Sequence, residues 1–82
     1  MKSLTVMSYD GIEVVLQGVQ PRGRVLIRLD TYVNDLSRRL ADYGAEYDDM
    51  RGGWCVWLET LPDVLRELGI DDTVIEKARR RL

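Results

Sequence analysis

The chain's hydrophobic patterning predicts an α+β fold. The expected architecture is an antiparallel sheet of about five strands, in the order βββ-α-ββ-α-α, with helices packed mainly on one face. Three observations carry this. Apolar residues alternate through residues 3–30 and are interrupted at Asp10-Gly11 and at Gln20-Pro21-Arg22-Gly23. The period then changes to that of a helix. Gly44 and Gly69 each close a helical stretch. With 82 residues there is room for one small domain, spanning 1–82, and for no second core.

Ser3–Tyr9 and Ile12–Val19 are rich in β-branched and apolar residues. The Asp10-Gly11 pair between them predicts a two-residue type I′ hairpin turn, in which both central positions need positive φ. After the Pro-Gly turn, Val25, Ile27 and Leu29 alternate with Arg24, Leu26 and Arg28, completing a three-stranded meander. Val33, Leu36, Leu40 and Tyr43 then fall on one helical face. Asp30 or Thr31 is placed to cap the start, Gly44 to end the helix, and Asp35 to pair with Arg38 or Arg39.

Ala45–Met50 and Gly53–Glu59 flank Arg51-Gly52 as a second hairpin, with Trp54, Val56 and Leu58 on the core side and Cys55 and Trp57 opposite. Thr60-Leu61-Pro62-Asp63 has the spacing of a capping box before a helix whose stripe is Leu61, Val64, Leu65 and Leu68. Asp71-Asp72-Thr73 opens a last helix with buried positions Val74, Ile75, Ala78 and Leu82; Arg79-Arg80-Arg81 sits at its negative end. Val15, Val19 and Leu26 point away from the main apolar face, so that side is expected either to be crossed by the last helix or to serve as a self-association or partner surface.

The composition narrows the chemistry. The formal net charge of -2 conceals a basic meander, an acidic middle and a mildly basic tail. Residues 41–63 hold six acidic side chains against Arg51. Histidine is absent, which removes the commonest general base and metal ligand. Cys55 is the single cysteine, so no internal disulfide forms, and its apolar neighbours predict a structural thiol. Glu46, Asp48 and Asp49 are the obvious carboxylates for a divalent cation, yet only Glu46 and Asp48 share a strand face. No Gly-rich phosphate loop is present. No cofactor or metal is therefore expected, and an enzyme is not the expected class.

No apolar run approaches membrane-span length, and no apolar segment follows Lys2 as a signal peptide requires. The expected location is the cytoplasm, with which a lone free thiol agrees. Residues 61–82 resemble a helix-turn-helix in outline, which makes a DNA-binding regulator the alternative reading. Asp71, Asp72 and Glu76 stand where phosphates would repel them, so direct nucleic-acid binding is not favoured. A stacking platform of Trp54, Trp57, Tyr47 and Arg51 for a single strand meets the same acidic surroundings.

Protein recognition is the remaining class. Trp, Tyr and Arg dominate interface hot spots. Tyr43, Glu46, Tyr47, Asp48, Asp49, Arg51 and Trp57 cluster around the second hairpin in sequence and are the candidate partner-binding residues. The expected partner is another protein, one with a basic nucleic-acid-binding groove that carboxylates can occupy in place of phosphates. A homodimer through Val15, Val19 and Leu26 is the second expected association. By analogy of class, an inhibitor or accessory factor of phage or mobile-element type, such as an anti-CRISPR protein, has this size and lacks catalytic equipment in this way.

Overall fold

The computed structural model describes residues 3–19 and 23–82. Five strands, β1 (Ser3–Met7), β2 (Glu13–Val19), β3 (Arg24–Leu29), β4 (Glu46–Asp48) and β5 (Gly53–Trp57), form one antiparallel sheet in the order β1-β2-β3-β5-β4. Helices α1 (Leu36–Ala41), α2 (Leu61–Glu67) and α3 (Asp72–Arg81) complete the expected α+β order. Their buried side chains join Val14, Leu16, Val25, Ile27 and Val56 of the sheet in one core. The last helix therefore packs on the same side as the others, against β1, and does not cross to the opposite face.

The first hairpin turns differently from the expected two-residue loop. Met7 faces Glu13, Ser8 N donates to Ile12 O at 2.9 Å, and Gly11 N donates to Ser8 O at 3.0 Å. The loop is thus Tyr9-Asp10-Gly11, with Gly11 at φ 85° as the bulge residue of a three-residue connection. Hydrophobic matching explains the choice. This register sets Leu4 opposite Leu16 and Val6 opposite Val14, on the core face. A two-residue loop would slip the pairing by one and oppose Val6 to the outward Val15. The Ser8 hydroxyl, almost fully buried, accepts from Ile12 N at 2.9 Å and holds the bulge.

The turn expected at residues 20–23 lies outside the described residues except for Gly23, which has φ 91° and accepts a hydrogen bond from Leu58 N at 2.7 Å. The first helix is shorter than its apolar pattern suggests. Asp30 does not cap it; one of its carboxylate oxygens accepts from Glu13 N at 3.0 Å and ties β2 to the end of β3. Leu36 and Leu40 are buried as expected, while Val33 and Tyr43 pack half-buried from outside the helix ends. Asp35 occupies the cap position, and Arg39 pairs with Glu67 at 3.3 Å instead of with Asp35.

The second hairpin closes through four residues, 49–52, because Asp48 faces Gly53 and Gly52 N donates to Asp48 O at 2.8 Å. The strand ends at Trp57, so Leu58, expected in the core, is exposed in the turn that follows. Thr60 precedes α2 without making the expected capping box. Its hydroxyl lies 3.1 Å from Tyr43 O and 3.2 Å from Trp57 O and donates to these carbonyls, while Asp63 pairs with Arg66 at 3.0 Å. In α3, Ile75 and Ala78 are buried, Val74 is half-buried and Leu82 is exposed beyond the helix end.

Candidate functional site

Pairing across β4 and β5 distributes the candidate residues over two faces of the sheet. Glu46 stands opposite Cys55, and Tyr47 opposite Trp54. Cys55 in turn faces Leu26, and Trp54 faces Ile27. Since Ile27 is a core residue, Tyr47 and Trp54 lie on the helix side; Glu46, Cys55 and Leu26 lie on the outer side. The two rings meet edge to face, with centroids 5.2 Å apart and planes at 71°. The hairpin therefore does not present its aromatic and acidic residues as one surface.

On the outer side, Glu46, Tyr47, Asp48, Asp49, Met50 and Arg51 line a shallow cleft of about 500 Å³ together with Arg24 and Cys55, although the Tyr47 ring packs on the helix side. Asp48 does structural work there. Its Oδ1 accepts from Met50 N at 3.0 Å and from Arg51 N at 3.1 Å, and its Oδ2 lies 3.7 Å from Arg51 Nε. This Asx-type turn shapes the hairpin tip. Glu46 and Asp49 are exposed and make no ion pair with any described residue. Met50, at the tip, is 97% exposed, a feature that the charge pattern of the hairpin gave no reason to single out.

Trp57 lies on the outer side, as alternation predicts, and is 42% exposed. The Arg24 guanidinium stacks over its ring at 4.3 Å from the centroid. Arg24 Nε is buried with no acceptor among the described residues. Four residues along β3 from Arg24, Arg28 donates from Nη2 to Gln17 Oε1 at 2.9 Å. Leu26, between these arginines on the same face, is only 3% exposed. Of the three apolar residues expected to form an association surface, Val15 and Val19 thus keep partial exposure and Leu26 does not.

Tyr43 sits apart from the cleft, after α1. Partial loss of hydration raises its phenol above the usual 10.0, and the carboxylates of Glu67, Asp63 and Asp42 push in the same direction. Tyr9 is raised likewise, by desolvation and then by Asp71 and Asp72. Among the described residues no group of three or more acidic or cysteine side chains converges to hold a metal ion.

On the helix side a second cleft, of about 590 Å³, opens between the hairpin and the segment joining β3 to α1. Its walls include Leu29, Tyr32, Val33, Tyr47 and Trp54, with Asp30, Asp35 and Arg38 at its polar margin. Sequence reasoning missed this site because it ran the first helix back to Asp30 or Thr31. In the structure residues 30–35 form a loop instead, and Tyr32 stands 85% exposed. In the 61–82 segment, Asp72 pairs with Arg66 at 2.9 Å, and Arg79 and Arg80 both approach Glu76, so much of its charge is internally balanced.

Comparison of the chain with protein-family models, with curated proteins and with solved structures finds no match.

Proposed function

We propose that this protein is a non-enzymatic binding protein whose β4–β5 hairpin docks on another protein, one with a basic nucleic-acid-binding groove. The observation that carries the reading is the pair of exposed carboxylates, Glu46 and Asp49, that no ion pair with a described residue engages, set beside the projecting Met50. Carboxylates already committed to internal partners have less field to offer a ligand. These two can steer a cationic surface toward the hairpin and occupy phosphate positions within it. The apolar Met50 side chain adds an adaptable contact at the centre. Such docking is the work of an inhibitor or accessory factor, of the phage or mobile-element kind that includes anti-CRISPR proteins. What supports this finer reading is small size, an acidic hairpin and a lack of histidine. A cytoplasmic location and a dimer contact through the partly exposed Val15 and Val19 belong to the same proposal.

The test is affinity capture from the native host, or from the cell in which the protein acts, with the wild type and the Glu46→Lys/Asp49→Lys variant side by side. Mass spectrometry is expected to find a basic partner retained by the wild type and lost by the variant, while both proteins melt at similar temperatures. Equal retention by the two overturns the reading. Salt-dependent duplex binding that survives in the variant transfers the function to the 61–82 helices.

A further inference from the structure

We propose that the helix-side cleft is a receptor for a cationic side chain, arginine or lysine, carried by a partner protein. Tyr47 and Trp54, packed edge to face at 71°, line this cleft together with Tyr32. Three aromatic side chains in one cleft lining offer π surface to a cation that enters it. That arrangement suits a guanidinium or ammonium group, which is attracted to the negative face of each ring. Leu29 and Val33 furnish apolar surface for the aliphatic stem of the entering side chain.

The charges at the margin agree in sign. Asp30 and Asp35 oppose the single positive charge of Arg38, leaving the cleft with an excess of one negative charge. Asp30 uses Oδ1 for Glu13 N, which fixes the carboxylate at the mouth and leaves its other oxygen outside that bond. Asp35 is held at φ 56°, the one left-handed non-glycine residue among those described, and its side chain caps no helix N–H. A conformation that costs free energy, at a cap position whose carboxylate does no capping, directs attention to the cleft it lines.

The inference extends the proposed function, since it needs a basic partner, but it uses different residues from the outer carboxylates. The two can therefore fail separately. The probe is choline, compared with its neutral isostere 3,3-dimethyl-1-butanol and with N-acetyl-arginine amide. Binding is followed by NMR on the Trp54 indole N–H and the Gly52 and Gly53 amides of the whole chain. Choline and the arginine derivative are expected to shift these signals, with the isostere weaker by at least about tenfold. Tyr32→Ala and Tyr47→Ala each weaken the cations several-fold, while Glu46→Lys/Asp49→Lys leaves them within about twofold. Tyr32 is largely exposed, so its variant retains the fold, which the unchanged spectrum of the core verifies. Equal shifts by the neutral isostere, no shift by either cation, or shifts that persist in both tyrosine variants overturn the proposal.

Discussion

Val15 and Leu16 are chain neighbours on β2, yet Leu16 has no exposed surface and Val15 keeps part of its own. The difference extends across the whole sheet. On the helix side, apolar residues of β1, β2, β3 and β5 are covered by Leu36, Leu40, Leu61, Leu65 and Ile75 from three helices. On the outer side none of the helices among the described residues packs, and Leu26 is nevertheless almost fully buried. The same face carries long side chains of the sheet itself: Arg24 lies over Trp57 and Arg28 reaches Gln17. A small domain can bury apolar surface without a second layer when arginine stems lie across it and keep their charged ends wet. One face is closed by tertiary packing, the other by neighbours within the sheet.

Substitutions at these adjacent positions test the contrast most strongly. Leu16→Ala leaves a cavity among helices and is expected to cost about 2–5 kcal/mol in urea unfolding, whereas Val15→Ala costs less than about 1 kcal/mol. Comparable losses at the two positions would show that the outer face is packed as tightly as the inner.

A second variant examines the seam where the two faces share backbone. A Cβ at Gly53 would lie 2.6 Å from Ile27 O and 2.8 Å from Arg28 Cγ. The backbone oxygen cannot yield cheaply, so Gly53→Ala is expected to destabilise the chain by about 1–3 kcal/mol. The same change is expected to broaden the NMR signal of Trp54, its neighbour in β5. A neutral effect would mean that β3 and β5 separate more easily than their pairing implies.

The smallest expected change belongs to the outer stack. Arg24→Ala removes a half-exposed cation–π contact worth about 0.5–1 kcal/mol. It also removes a buried Nε that has no acceptor among the described residues, which offsets part of that loss. Trp57 fluorescence is expected to shift while the melting temperature moves by only a few degrees. A large loss of stability would mean that the arginine cover, rather than the ring contact, maintains Leu26.

Much of the fold is legible in local pattern. Period-two alternation marks β1 to β3, the i, i+3, i+4, i+7 stripe at Leu61, Val64, Leu65 and Leu68 marks α2, and glycine stops separate them. Turn geometry is less legible from dipeptides. Asp10-Gly11 fits a type I′ turn in isolation, but the register that buries Leu4 and Val6 requires the bulged form. The capping box at Thr60 also fails: its hydroxyl is aimed at the Tyr43 and Trp57 carbonyls, to which it donates, and accepts from no helix N–H. The candidate site was half legible. Glu46, Tyr47, Asp49 and Arg51 do gather around one cleft with Asp48, but Tyr43 sits apart from it, the Tyr47 ring packs against Trp54 on the other face, and Asp48 serves the turn.

The sequence by itself determined the element order, the α+β class and the side of β5 from which Trp57 projects, because these follow from backbone periodicity and glycine placement. Tertiary structure alone decided which side chains became neighbours. Strand β5 inserts between β3 and β4, Leu26 becomes almost fully buried on the outer face, and Tyr32 comes to line one open cleft with Tyr47 and Trp54. These outcomes depend on pairings between residues far apart in the chain. No local propensity encodes such pairings, since their energy is realised only when the sheet and its helices close on a common core.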